Sequence, residues 1–530
     1  MSNDYSNINV SKIKQIRPFK IDYSHVRNLE YTDNDNTAPQ SFKTYQRLFP
    51  AAPFVAEEQA RPVFESDQCY LQYYSTMQFS KGRILVLVNY DIYPAIKASI
   101  EQYLKDVACE GYFATVFRVK GGTPPELRSL IKSKSPVTGA LMVGSLPVAW
   151  FGFVKNDDFN NANTEFPCDL YYMDINGTWM DPDNDGKYTE NLTGVEPEIW
   201  VGRLWTPSAN GNDANLLNDY FSRNHNFRKG LFGYSDRALA YVDDDWTGFG
   251  NCAFDQMFPA CNIETIKDPL HTDGDRYKAE INQHRAWAQI CAHSSPCGHS
   301  FKIPNGSEWV ANSYLRDVKP PNAYFYNLFA CSNARFTQPD YMAGWYIFDK
   351  HGGAQCNGLA AVGSTKTGSM LLFENFYGPM GAGKTIGEAY NDWWKALGTA
   401  HESLEQKWHY GMVLMGDPTI NWFSGVVPVL HNPVDGETFD HFPRRTIFSW
   451  DPINLSGVKY VIEIDALGAR IAGKWAAESG LTWFVSDLLN DNNYEHIFVG
   501  AQRGRWRVRA KLDSRIFCPW SDWRYFNYAV

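Results

Sequence analysis

The sequence predicts an α/β region, a mostly parallel sheet flanked by helices in two lobes, followed by an all-β sandwich. Three observations lead there. Continuous apolar runs such as Ile84 to Val88 (ILVLV) are bounded by turn formers, the mark of strands buried on both faces. Stretches with helical spacing alternate with these runs in a β-α-β-α-β order, which gives a parallel sheet covered by helices. Beyond Val427 the texture changes to short alternating strands with frequent turn signals.

Residues 1–80 are polar, contain NDNTAPQ and show no sustained periodicity, so they read as an N-terminal extension of pro-segment type. From Gly82 the pattern is regular. The strand at 84–88 is followed by a helix over 95–109, a strand over 114–119, a helix from Thr123 to Lys134 that opens with Pro in its first turn, and the strand GALMVG at 139–144. The pattern resumes with IWVGRL (199–204), a helix near 212–226, ALAYV (238–242), and strands at 287–292, 324–330 and 358–364. Two helical stretches lie between 369 and 397. The expected division is a first lobe at 81–235, a second, catalytic lobe at 236–426, and a fibronectin- or immunoglobulin-like sandwich at 427–530. Trp450 closes one sandwich strand and Trp506 lies in a period-two stretch.

Composition narrows the function. A chain of 530 residues with 44% hydrophobic residues and 18 Trp supports several packed units and excludes a disordered chain. A formal net charge of −10 argues against general nucleic-acid binding, which needs basic patches to neutralise phosphate. No apolar run reaches the roughly 20 residues of a membrane span. The start, MSNDYSNINVSKIKQIRPFK, has no apolar signal region, so a cytoplasmic location is favoured. The 10 cysteines are scattered, without a CxxC pair, and fit a reduced compartment better than a disulfide framework. Cys291 and Cys297 flank His293 without a second ligand cluster, a poor pattern for zinc.

Two segments stand out chemically. AWAQICAHSSPCGHSF (286–301) is a buried strand ending in His293, and YFYNLFACSNARF (324–336) is another, ending in Ala330-Cys331 before a polar turn. A histidine and a cysteine at the C-terminal ends of two strands of one parallel sheet stand where α/β folds gather active sites. Cysteine catalysis needs this pair, because the thiolate is the nucleophile and an imidazole must move its proton. His299 is the competing base, made the poorer candidate by its expected loop position.

In these segments the chain resembles the gingipain-like cysteine peptidases of the caspase clan. That family ends one strand with His followed by Gly and a later strand with Ala-Cys before a turn containing Asn. Cys291-Ala-His293-Ser294-Ser matches the first with Ser294 in place of Gly, and Ala330-Cys331-Ser-Asn333 matches the second. ALMVG with Leu146-Pro147, WVGRL, GLAAVGSTK, GKTIGEA (383–389), Gly416-Asp417-Pro418 and a trailing sandwich extend the likeness over about 81–530. The resemblance implies a caspase-like fold and an endopeptidase acting on protein or peptide substrates, with Cys331 as nucleophile and His293 as general acid/base. It further implies backbone N–H groups of Cys331 and Ser294 at the oxyanion. The resembling family is mostly secreted.

Three further constellations follow. Asp243-Asp244-Asp245 succeeds the strand ALAYV. The resemblance gives Asp245 the role of orienting His293, and Asp255 that of a buried S1 carboxylate selecting Arg or Lys in the substrate. Asp181-Pro-Asp183-Asn-Asp185-Gly186 offers hard oxygens to Ca²⁺, structural in the related peptidases. Position twelve is Leu192, so this is no full EF-hand. No organic cofactor is expected. Gly378-Pro-Met-Gly-Ala-Gly383-Lys384-Thr385 satisfies the P-loop expression, and MVLMG before Asp417 imitates its partner strand. Only a short stretch remains before the sandwich, too little for a nucleotide-binding core. The alternatives are therefore a catalytically weak relative that binds a partner or, less in keeping with the pattern, a P-loop nucleotide-binding protein.

Overall fold

The computed structural model describes residues 39–60, 81–153, 164–232, 235–351, 356–397, 408–453 and, with short gaps, 457–529. Its α/β region is built on one mixed sheet of 11 strands. In chain order these are β1 (Val55–Glu58), β2 (Gly82–Asn89), β3 (Tyr112–Lys120), β4 (Gly139–Val143), β5 (Trp200–Leu204), β6 (Ala238–Val242), β7 (Ile263–Ile266) and β8 (Arg285–Cys291). A separate antiparallel set follows: β9 (His293–Ser295), β10 (Gly298–Ile303) and β11 (Gly306–Ala311). Then β12 (Ala323–Phe329), β13 (Ala360–Ser364) and β14 (Met412–Gly416) complete the main sheet. Its spatial order is β1-β3-β2-β4-β5-β14-β13-β12-β8-β6-β7.

The helices are α1 (Phe42–Leu48), α2 (Tyr93–Cys109), α3 (Pro124–Ser133), α4 (Ala214–Arg228), α5 (Gly274–Ile281), α6 (Glu374–Gly381) and α7 (Ile386–Leu397). Local chemistry sets their ends. Thr123 and Glu126 form a capping box at α3, and the Asp213 side chain accepts from the N–H groups of Asn215 and Leu216 at α4. The inner strands of the sheet are covered on both faces, which is why they are mostly apolar, while the edge strands β1 and β7 are not buried. In β2, Ile84, Val86 and Val88 join the core with Ile96 and Ile100 of α2 and Leu217 of α4, while Leu85 and Leu87 join the opposite core with Leu127 of α3 and Trp393 of α7.

The strands expected in two lobes belong to one sheet. Near its middle lies β14, from the far end of the α/β sequence; it contacts β5 through Arg203 and Met415 and runs antiparallel to β13. The described part of the N-terminal stretch, residues 39–60, is not a detached wrap. β1 pairs antiparallel with β3, and Phe42 and Tyr45 of α1 pack against Trp150. The rest of the expected 1–80 extension lies outside the described residues.

After Val427 the chain forms two facing sheets, one of 3 strands and one of 5. Phe448 of the smaller sheet meets Trp506 and Phe526 of the larger, and Trp450 meets Tyr460, so both tryptophans singled out in the sequence are core residues. Among the described residues no helix is long and apolar enough to cross a membrane.

Candidate active site

β8 and β12 are parallel neighbours, with Cys291 paired to Phe329 at their C-terminal ends. His293 and Cys331 each stand two residues past that pair, so the register alone puts them side by side at one edge of the sheet. The Ala292 N–H donates to the Phe329 carbonyl at 3.1 Å and holds the two exits together. Ser294 Oγ donates to the Cys331 carbonyl oxygen at 2.7 Å, a second tie two residues further on. His293 is buried; Cys331 is partly exposed. Ser332, immediately after the thiol, has φ of 56° and its N–H donates to the Lys366 carbonyl at 2.9 Å. The chain therefore turns sharply away and leaves Cys331 at the apex.

Asp245 reaches the site from the end of β6. His293 Nε2 lies 2.8 Å from its Oδ2, and Lys302 Nζ from β10 lies 2.8 Å from its Oδ1. Burial pushes this carboxyl up, but hydrogen bonds and charge from His293 and Lys302 outweigh it and hold the group well below the usual carboxylate range. Asp245 thus stays an anion and can only accept, so His293 Nε2–H is the donor in this contact. The Trp246 ring, with its centroid 4.6 Å from that of the imidazole, fixes the ring plane.

The other two aspartates of the run do different work. Asp243 accepts the Lys302 backbone N–H at 3.1 and 3.2 Å; burial raises its carboxyl to about 8, against the N–H donors and aided by the neighbouring Asp244 and Asp245 charges. Asp244 accepts from Thr272 Oγ1 at 3.1 Å. Lys302 was not legible as a site residue. It is nine positions from His293, and only the β9–β10 hairpin brings it back to Asp245.

Several expectations need correction. Asp255 is exposed in a short 3₁₀ turn, where its carboxylate accepts from Asn251 at 3.1 Å, so it does not supply the buried carboxylate expected at S1. The reason lies in the path of the chain. Phe254 packs on Tyr377, whose hydroxyl reaches Gln289 in the middle of β8, so this segment has already travelled down the flank of the sheet. His299 is on strand β10, not in a loop. It is buried against Tyr277 and Phe301, 2.8 Å from the Tyr346 hydroxyl, and burial lowers it to about 3. It stays neutral in the opposite core, which excludes it as the base.

The P-loop expression falls on the end of α6, the turn after it and the start of α7, a helix–turn–helix where phosphate cradles need strand–loop–helix. Lys384 pairs with Asp392, and Thr385 caps α7 in a reciprocal box with Glu388. Asp417 is buried and engaged by Tyr103, Asn224, Arg228 and Thr419. At the acidic loop, carboxylate oxygens of Asp181, Asp183 and Asp185 lie within 4.8 Å of one another. Asp181 also accepts the N–H groups of Asp185 and Gly186, at 3.2 and 3.1 Å. The donor set is hard oxygen and fits calcium, although Lys187 Nζ already lies 2.9 Å from Asp185. No disulfide joins the described cysteines.

No family model matches this chain, and no curated protein matches it. Among solved structures, the FN1–FN3 domains of chicken CNTN1 align at 14% identity over 19% of this chain and 33% of that one, with a TM-score of 0.14. A likeness of that size carries no argument about either fold or function.

Proposed function

We propose that this chain is a cysteine endopeptidase with a caspase-like α/β region, and that His293 and Cys331 are its catalytic dyad. The observation that carries the reading is the Asp245–His293 contact at the end of β8, beside Cys331 at the end of the adjacent β12. In this reading Cys331 Sγ attacks the scissile carbonyl and His293 Nδ1 takes up the thiol proton. The imidazolium, stabilised by anionic Asp245, then delivers that proton to the leaving amine, and water releases the acyl group in the second half-reaction. Backbone N–H groups of Cys331 and Ser294 would hold the oxyanion. Ser294 in place of Gly keeps its N–H, and its hydroxyl contact with the Cys331 carbonyl supports the loop conformation that such a donor needs.

The sandwich would support its neighbour: Asp522 in its last loop pairs with Lys229, just past α4, at 2.6 Å. The Asp181–Asp185 loop would hold a structural Ca²⁺. The alternative of a catalytically weak, partner-binding relative is separated by thiol chemistry. A substrate-like electrophile should label Cys331 well ahead of the other cysteines, and peptide cleavage should vanish in Cys331→Ala. Labelling spread evenly over the thiols, with no cleavage by the wild type, would favour the weak relative.

A further inference from the structure

The segment after β6 lies along the same sheet face as the dyad. At steps of three residues, its side chains cover one residue each of β9, β12 and β8. The Trp246 ring is 4.6 Å from that of His293, the Phe249 ring is 5.0 Å from that of Phe329, and Cys252 Sγ is 4.0 Å from Cys291 Sγ. Side chains on a strand alternate, so Phe329 shares its face with residue 331 and Cys291 with residue 293. These contacts therefore form the floor immediately inside the dyad. Phe373 closes its far side, 5.2 Å from Phe249 and 6.2 Å from Phe329. Trp246, Phe329, Phe373, Cys252 and Cys291 are buried, and Phe249 is half-buried.

The charges nearby are directed elsewhere. Asp243 faces the Lys302 N–H, Asp244 faces Thr272, Asp245 faces His293 and Lys302, and Asp255 is outside with Asn251. Gly250 follows Phe249 at φ 59°, in the left-handed region that suits glycine, and this bend carries the chain on toward Asp255. The buried Lys366 ammonium donates to the Thr367 carbonyl and lies by the rings of Phe166 and Trp408, a separate aromatic group. A charged side chain entering beside Cys331 would lose hydration, and these rings and thiols offer it no counter-charge. An apolar one would be favoured by the surface it removes from water against these rings.

We infer that the subsite next to Cys331 takes an apolar P1 side chain, with Phe249, Phe329 and Phe373 as its wall. This rests on the peptidase reading above and adds the substrate class to it. The test uses full-length protein and a series of peptidyl acyloxymethyl ketones that differ only in P1, read by mass spectrometry as the rate of alkylation at Cys331. The expected result is that Leu, Met or Phe at P1 reacts at least about tenfold faster than Arg, Lys, Asp or Glu. Phe249→Ala should move the preference toward larger aromatic P1 groups, and Phe249→Leu should move it less. A faster reaction with basic or acidic P1, or an unchanged order in a folded Phe249→Ala variant, would overturn the subsite and leave the peptidase standing. Equal, slow labelling at Cys331 and at other cysteines for every P1 would overturn the peptidase reading and the subsite together.

Discussion

The Ser294 hydroxyl donates to the carbonyl oxygen of Cys331 at 2.7 Å, tying β9, which follows β8, to the turn after β12. The resembling peptidases have glycine at this position, so the bond belongs to this chain's own solution. Ser294→Ala should destabilise the fold by about 1 kcal/mol, the usual net value of one hydrogen bond, leaving the Cys331 carbonyl without this donor. It should lower kcat more than it raises KM, because the loop carries the expected oxyanion donor. Calorimetry and steady-state cleavage together check this; an unchanged kcat would show that the tie is purely structural.

Cys331→Ala and His293→Ala should each reduce kcat by roughly a thousandfold or more with the fold intact. Asp245→Asn keeps the shape but loses the charge that holds the imidazolium and Lys302, and about a tenfold loss or more is expected. His299→Ala should behave differently. Its neutral, buried ring fills the core beside Tyr277 and Phe301, so it should lower the melting temperature while leaving the pH profile of cleavage in place.

Asp243 gives a pH prediction of definite sign. Burial holds its carboxyl at about 8 in the folded chain, against roughly 4 when unfolded. The folded state thus binds the proton more tightly, and the stability this supplies is full below about pH 4 and is lost as pH rises through about 8. The facing groups are Asp244, Asp245 and the Lys302 N–H, all of which Asp243→Asn leaves in place. The difference in melting temperature between variant and wild type should therefore shift in the variant's favour from pH 5 to pH 8.5. A constant difference would show that Asp243 is ionised in the fold.

If the Asp181 loop holds calcium, excess EGTA should lower the melting temperature of the wild type, because an ion bound only by the native state stabilises it by mass action. Asp183→Ala should abolish the response. Lys187→Ala should strengthen it, since the ammonium beside Asp185 competes for the same oxygens. Identical melting curves with and without chelator would count against the site.

Lys384→Ala should leave the protein's behaviour with Mg·ATP unchanged, because Lys384 is held by Asp392 and the adjoining Thr385 caps a helix. Saturable ATP binding that disappears in this variant would contradict that assignment.

What the sequence determined by itself is local. Apolar runs such as ILVLV and AWAQIC could only be strands covered on both faces, and Thr123-Pro-Pro-Glu126 could only open a helix, because these outcomes depend on neighbours within a few residues. The place of His293 and Cys331 just past the ends of strands was legible for the same reason: each follows such a run directly. Tertiary structure decided what depends on where a chain returns. Three consecutive aspartates share one charge pattern, yet Asp245 meets the imidazole, Asp243 meets a backbone N–H and Asp244 meets a hydroxyl, because the β9–β10 hairpin brings Lys302 across them. His299 differs from His293 by the core it enters, and Asp255 reaches solvent because Phe254 is anchored on Tyr377. Spacing along the chain cannot encode these distinctions, because side-chain surroundings are set by segments distant in sequence and by which face of the sheet they cover.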